Sequence, residues 1–294
     1  ELAGELGLKQ PILLRITPGI EAHTHEFIQT GKLDSKFGLC LADGVAMSAV
    51  ADAMGAVNLE LVGVHAHIGS QIFSVEPYLK TVSALVEFLS QCNREHGFEC
   101  RILNLGGGLG AVYTAGDDPP DIDALGAAVC EHVLGEMQQY GLPVPRIVVE
   151  PGRSIAANAG LTAYRVESVK TVPGVRTFVA VDGGMSDNLR PVLYGARYDA
   201  VIADRPDAEP GTTVTVAGKH CESGDILVND IDLPQPAVGD TLVTPSTGAY
   251  GYSMASNYNG QPRPAVLFVK GGKARVVIRR ESYEDLAHLH EQLD

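Results

Sequence analysis

The chain has 294 residues and a mass of 31.1 kDa, length for about two domains of roughly 150 residues, each with its own core. Hydrophobic residues make up 45% and charged residues 20%, which excludes disorder as the main state. With 22 Lys and Arg against 36 Asp and Glu, a net charge of −14 repels a phosphate backbone and excludes nucleic acid as a partner.

No apolar run approaches the roughly 20 residues of a bilayer span, so no membrane partner is expected. The five cysteines, Cys40, Cys92, Cys100, Cys130 and Cys221, form no CxxC pair. Neither a disulfide framework nor a zinc knuckle is indicated, and free thiols point to the cytoplasm. The opening Glu1 to Gly7 reads as the tail of a helix closed by glycine, with no charged and apolar leader. The expectation is that an N-terminal part is missing.

Short branched runs predict four strands buried on both faces: Ile12 to Ile16, Leu61 to Ile68, Ile102 to Leu105 and Ile147 to Val149. Helices are predicted between them. Asp43 to Met54 starts after an Asp cap, Val75 to Cys92 aligns Leu79, Val82, Leu85, Val86 and Leu89 on one stripe, and Ala124 to Gln138 aligns Leu125, Val129 and Met137. Alternation of this kind is the signature of βα units and a parallel sheet. Beyond Ala159 come short runs separated by Gly, Pro and Asp: Thr162 to Val169, Thr177 to Val181, Thr212 to Val216, Thr241 to Thr244, Ala265 to Val269 and Ala274 to Ile278. An all-β domain over 159–294 is predicted after an α/β domain over 1–158, with a closing helix from Ser282 to Leu293.

Candidate chemistry gathers at strand ends. Asn104-Leu105-Gly106-Gly107-Gly108-Leu109-Gly110 follows the third strand, and its unencumbered N–H groups suit a phosphate. The same run is also an ordinary tight turn, and Gly106, Gly108 and Ala111 satisfy a loose dinucleotide pattern. His65 and His67 end the second strand on one face, either as core histidines or as a metal pair. His23 and His25 lie in a loop with no evident third ligand, so no metal site is expected. The fourth strand delivers Glu150-Pro151-Gly152-Arg153-Ser154, readable as an ion-paired turn or as a carboxylate and a guanidinium aimed at a ligand. Cys221-Glu222-Ser223-Gly224-Asp225 sets a thiol beside a carboxylate. Asp182 to Tyr194 and Gly248 to Tyr258, rich in Gly, Asn, Ser and Tyr, read as surface loops or as ligand-contacting ones.

Together, Thr24 to Gly31, Ser35 to Gly38, His65 to Gln71, Gly106 to Gly110, Glu150 to Ile155, Asp182-Gly183-Gly184-Met185 with Asn188 to Tyr194, Cys221 to Asp225 and Gly248-Ala249-Tyr250 resemble diaminopimelate decarboxylases. The motifs keep one order over nearly the whole chain. The resemblance implies a fold type III pyridoxal 5′-phosphate enzyme of the alanine-racemase-like group. This is an α/β plus all-β fold: the C-terminal half of a pyridoxal-phosphate-binding (β/α)8 TIM-like barrel, then a β-barrel or β-sandwich domain. It also implies a homodimer with shared active sites.

By matching motif, His67 would stack on the cofactor ring, and Ser70 with the backbone of Gly107 and Gly108 would hold its phosphate. Glu150 would face the pyridine nitrogen, keeping the ring protonated and electron-withdrawing. Arg153, Arg190 and Tyr194 would bind the substrate carboxylate, with Arg153 also beside the cofactor, and Tyr250 would lie near cofactor phosphate and substrate. Cys221 would donate a proton to the α-carbon in the partner's site, where Glu222 would recognise the distal amino end. The reaction implied is decarboxylation of meso-2,6-diaminopimelate to L-lysine and CO2. A sibling decarboxylase acting on another amino acid or a carrier-bound substrate, or a non-catalytic binding relative, remains open. None of Lys9, Lys32, Lys36, Lys80, Lys170, Lys219, Lys270 and Lys273 matches the Schiff-base lysine, so the chain alone is expected to be inactive.

Overall fold

Unbroken branched runs build one parallel sheet in the first part of the chain. The computed structural model describes residues 1–20 and 36–291. There β1 (Gln10–Thr17), β2 (Leu39–Cys40), β3 (Leu59–His65), β4 (Ile102–Asn104) and β5 (Arg146–Val148) run parallel in the order β2-β1-β3-β4-β5. Sequence predicts four of these strands. The fifth, β2, has two residues, too few to leave a hydrophobic signature.

Helices α1 (Leu2–Glu5), α2 (Val45–Gly55), α3 (Glu76–His96) and α4 (Ile122–Gln139) complete the βα pattern. Pro77 occupies the first turn of α3 and left-handed Gly97 ends it, as each residue's backbone preference dictates. At the start of α4 the Asp121 carboxylate accepts from the Ala124 N–H at 2.9 Å. The predicted cap of α2, the Asp43 side chain, lies outside the described residues. Of the predicted stripe of α3, Val82, Leu85, Val86 and Leu89 are buried with Val64, Leu103, Val133 and Met137 in one core, and Leu79 packs against it partly buried.

Pairing across this sheet aligns Arg15 with His65, His65 with Asn104, and Asn104 with Val148. Arg15, His65 and Asn104 thus form a polar row, ended by Val148, at the carboxyl end of the sheet, the end at which parallel α/β sheets place their chemistry.

Helix α5 (Arg153–Ala156) leads into the second part, which is built from β6 (Leu161–Val172), β7 (Arg176–Val181), α6 (Arg190–Tyr194), β8 (Val201–Ile202), β9 (Thr212–Ala217), β10 (Ile226–Leu233) and β11 (Thr241–Pro245). Its mixed sheet has the order β10-β9-β7-β6-β11-β8, antiparallel throughout except for the β7–β9 pair. Tyr164, Val166, Val179, Val214, Val216, Leu227 and Leu242 are buried on it. The sequence reading does not include β8 or β10: β8 is two residues long, and Asn229, Asp230 and Asp232 interrupt the apolar run of β10. A hairpin of β12 (Val266–Lys270) and β13 (Lys273–Ile278) follows, then α7 (Tyr283–Ala287), shorter than the predicted helix and capped reciprocally by Ser282 and Asp285.

By contact the chain divides into Glu1–Ala111 with Asp118–Ser154, and Val112–Asp117 with Ile155–Asp294. The short excursion Val112–Asp117 joins the second unit because Tyr113 packs edge-on against Tyr198, ring centroids 5.1 Å apart, and its carbonyl accepts from the Asp199 N–H at 3.2 Å. Among the described residues no helix is long and apolar enough to cross a membrane.

Candidate active site

In the first unit the polar row and the loops after it converge on Glu150, two residues beyond β5. Asn104 donates from Nδ2 to Glu150 Oε1 at 2.8 Å, and its own Oδ1 accepts from the Gly106 N–H at 2.9 Å. His65 Nε2 lies 3.6 Å from Glu150 Oε2. The Glu150 N–H donates to the Gly106 carbonyl at 2.8 Å, so the carboxylate and the glycine loop are tied through both backbone and side chain.

The loop after β3 is zipped to the glycine loop. Ile72 N–H donates to the Gly108 carbonyl at 3.0 Å and Gly110 N–H to the Ile72 carbonyl at 3.1 Å. The Gln71 amide exchanges a reciprocal pair with the Ala111 backbone, at 2.7 and 3.1 Å. This approach needs glycine at 108: φ is +98° there, and a Cβ would stand 2.3 Å from the Gly69 carbonyl oxygen.

His67 lies past the end of β3, so the loop rather than strand alternation places it. Its Nδ1 accepts from the Gly107 N–H at 3.2 Å. That bond requires a lone pair on Nδ1 and puts the ring proton of the neutral form on Nε2. Arg153, buried at the first position of α5, donates from Nε and Nη2 to Ser70 Oγ at 3.3 and 3.0 Å.

Burial pushes both imidazoles below the ordinary histidine value of 6.5, with the Arg15 cation adding to the effect and Glu150 opposing it. Burial likewise lowers Arg15, against the attraction of Glu150. The folded protein therefore prefers neutral rings, while the unfolded chain takes up their protons as pH falls below 6.5. This share of stability is present above about pH 6.5 and is lost as pH falls through the lowered folded values. Urea unfolding should give a smaller free energy at about pH 5.5 than at about pH 7.5, a difference that shrinks in His67→Gln. An unchanged difference in the variant would remove His67 as its source.

In the second unit, Arg190 opens α6 buried, donating from Nη1 to the Tyr198 hydroxyl at 2.6 Å with its guanidinium carbon 4.5 Å from the Tyr113 ring centre. Tyr194 ends the same helix before left-handed Gly195. Tyr250 is half-exposed with φ +58°, left-handed and rare for a side-chain-bearing residue, as is Ser246 four residues earlier at +61°.

Cys221 and Glu222 are exposed on a turn held by buried Asp225. That carboxylate accepts from the Met185 N–H at 2.6 Å and from the His220 N–H at 2.9 Å. Glu222 accepts a short hydrogen bond from the Tyr258 hydroxyl, which raises the pKa of that phenol.

The structure thus joins His67, Ser70, Gly107, Gly108, Glu150 and Arg153 in the first unit, and places Arg190, Tyr194, Cys221, Glu222 and Tyr250 in the second. Sequence reasoning did not assign Arg15, Asn104, Tyr113, Tyr198, Asp225 or Tyr258. A charge inside an apolar strand at 15 and an amide at the start of the glycine run at 104 are signals for two of them. The His23–His25 pair lies outside the described residues, and among the described residues no three His, Cys, Asp or Glu side chains group to hold a metal.

Residues 2–157 match the family model for the pyridoxal binding domain of pyridoxal-dependent decarboxylases. The fold superposes on the crystal structure of Helicobacter pylori diaminopimelate decarboxylase complexed with L-lysine with a TM-score of 0.86 and 34% identity, over 98% of this chain and 68% of that one. The chain belongs to the diaminopimelate decarboxylase family. It is also 48% identical over 289 residues to the family member from Bacillus subtilis, covering 98% of this chain and 66% of that protein. The Synechocystis member is 47% identical over 287 residues, 97% of this chain and 60% of that protein. The chain therefore spans less than two thirds of the length of these two curated relatives.

The strand-end cluster lies within the stretch matched by the pyridoxal-binding model, and the turn bearing Cys221 and Glu222 lies beyond it.

Proposed function

We propose that this chain serves the pyridoxal 5′-phosphate-dependent decarboxylation of meso-2,6-diaminopimelate to L-lysine and CO2, in a cytoplasmic homodimer whose subunits share active sites. The observation that carries the reading is Glu150: a half-exposed carboxylate at a strand's carboxyl end, braced by Asn104 at 2.8 Å and flanked by His65 at 3.6 Å.

The donor set fits the cofactor. A carboxylate suits a protonated pyridine nitrogen, a buried guanidinium and a serine hydroxyl suit phosphate, and glycine at 107 and 108 brings backbone to the site with no Cβ in the way, the Gly107 N–H being held by His67 Nδ1. Bound there, the cofactor supplies an electron sink for the pair left when CO2 departs. Glu150 keeps a proton on the ring nitrogen. His67, with its N–H on Nε2, offers a flat neutral ring for stacking. Ser70, Arg153 and the Gly107 and Gly108 backbone anchor the phosphate.

On the substrate side, Arg153, Arg190 and Tyr194 bind carboxylate, and Tyr250 serves the cofactor phosphate and the substrate. Cys221 of a second copy hands its thiol proton to the α-carbon, and Glu222 of that copy pairs with the distal ammonium. The covalent anchor is not among these residues. Of the described lysines in the first unit, Lys9 precedes β1, Lys36 precedes β2, and Lys80 lies on α3 bonded to Glu76 at 2.7 Å.

Incubating the whole protein with pyridoxal phosphate and carboxyl-labelled meso-diaminopimelate tests the reading. Labelled CO2 and L-lysine should appear together. Release of CO2 from another amino acid and none from diaminopimelate would overturn it.

A further inference from the structure

Tyr258 has no role in the function proposed above, yet the local fold is arranged around it. Its hydroxyl donates to Glu222 Oε1, and its ring lies 5.4 Å from that of His220, tilted by 51°. His220 is itself immobilised: it is buried, its Nε2 is 2.8 Å from Ser186 Oγ, and its N–H donates to Asp225. The Tyr258 backbone is fixed from the other side. Ser256 N–H donates to the Ser186 carbonyl at 2.9 Å, and the Asn257 amide donates to Glu281 Oε2 at 2.6 Å.

One serine, Ser186, thus anchors both the histidine beneath the tyrosine and the segment that carries it. A glutamate on an exposed turn otherwise has three side-chain torsions to sample, and ordering them at each binding event costs affinity. With Oε1 already held, Oε2 is left in one place for a cation to meet. The hydrogen bond to Glu222 raises the Tyr258 pKa, and burial and the Glu222 charge add to the effect.

We infer that Tyr258 is a positioning residue that presets the Glu222 carboxylate, and so governs selectivity for substrates carrying a distal ammonium group. This rests on the role proposed for Glu222. The chemistry is that of a charge-assisted hydrogen bond, stronger than a neutral one and lost on removal of a single hydroxyl.

The test is Tyr258→Phe in the whole protein, measured with meso-diaminopimelate and with 2-aminopimelate of D configuration, which keeps both carboxylates and lacks the distal amino group. KM for diaminopimelate should rise about tenfold with kcat nearly unchanged, and KM for the monoamino analogue should stay within about twofold. In a Glu222→Gln background the same substitution should add almost nothing. Equal KM changes for both substrates, a fall in kcat alone, or additivity with Glu222→Gln would each overturn the proposal.

A second readout needs no turnover. Ring-labelled tyrosine followed by NMR should show a Tyr258 phenol titrating above the ordinary tyrosine range and returning toward it in Glu222→Gln. No return would show that the two groups are uncoupled. If this coupling is present but diaminopimelate is not a substrate, the positioning geometry stands, while the selectivity role falls with the proposed reaction.

Discussion

On the function proposed above, replacing Glu150 with glutamine in the whole protein is expected to lower kcat for diaminopimelate about 1,000-fold while leaving pyridoxal phosphate bound, a size typical of removing a group that holds a proton in the reaction. The substitution is close to isosteric. The amide oxygen can still accept from Asn104 Nδ2, now 2.8 Å from Glu150 Oε1, and the backbone bond to Gly106 is untouched. What disappears is the negative charge. A neutral amide cannot keep a proton on a pyridine nitrogen, and an unprotonated ring is a poor acceptor for the electrons left by CO2. Cofactor absorbance titration and steady-state kinetics on one preparation separate the two effects. A kcat loss below about tenfold with cofactor bound would show that Glu150 does not face the ring nitrogen.

The elements legible in the sequence share a physical trait: each carries a run or stripe of apolar residues, even β4 and β5 at three residues each. The α3 stripe and the runs around Val64 and Leu103 repeat with the period of their structure, and they are fully buried in the core. Strands of two residues, such as β2 and β8, cannot show a period. β10 breaks its own pattern with Asn229, Asp230 and Asp232, and Asp230 sits at left-handed φ +47°, where the register with β9 shifts. Patterning reports burial on alternate positions, and an irregular strand supplies none.

The site divides on the same principle. Residues in continuous motifs, from Gly106 to Gly110 and from Glu150 to Arg153, could be found because the chemistry and the local backbone are encoded together. Arg15, His65, Asn104 and Val148 meet only through strand register, across separations that no local pattern records. Tyr113 likewise reaches Arg190 from a distant segment, and Tyr258 reaches Glu222 from 36 residues away. For these residues, side-chain identity is ordinary and only tertiary placement gives it meaning.

Register also makes Gly63 a sensitive position in the sheet. Its β3 is a central strand, bonded to β1 on one side and β4 on the other, and pairing with β1 passes from Ile12–Leu61 directly to Leu13–Gly63, so Val62 is an extra residue in a bulge. A Cβ at position 63 would stand 1.8 Å from the Ile102 carbonyl oxygen and 2.7 Å from its carbon, both backbone atoms of β4. Neither can move as a side-chain tip could. Gly63→Ala must therefore spread β3 from β4, two residues before the row in which His65 pairs with Asn104. We expect a stability loss of about 3 kcal/mol, the upper part of the usual range for overpacking, measured by urea unfolding. Because Asn104 carries both Glu150 and the glycine loop, cofactor affinity should fall in the same variant, whereas Leu13→Val, one strand away and without a backbone clash, should leave it unchanged. A Gly63→Ala protein within about 1 kcal/mol of the parent would mean that the bulge absorbs the added carbon and that the row is not held by this register.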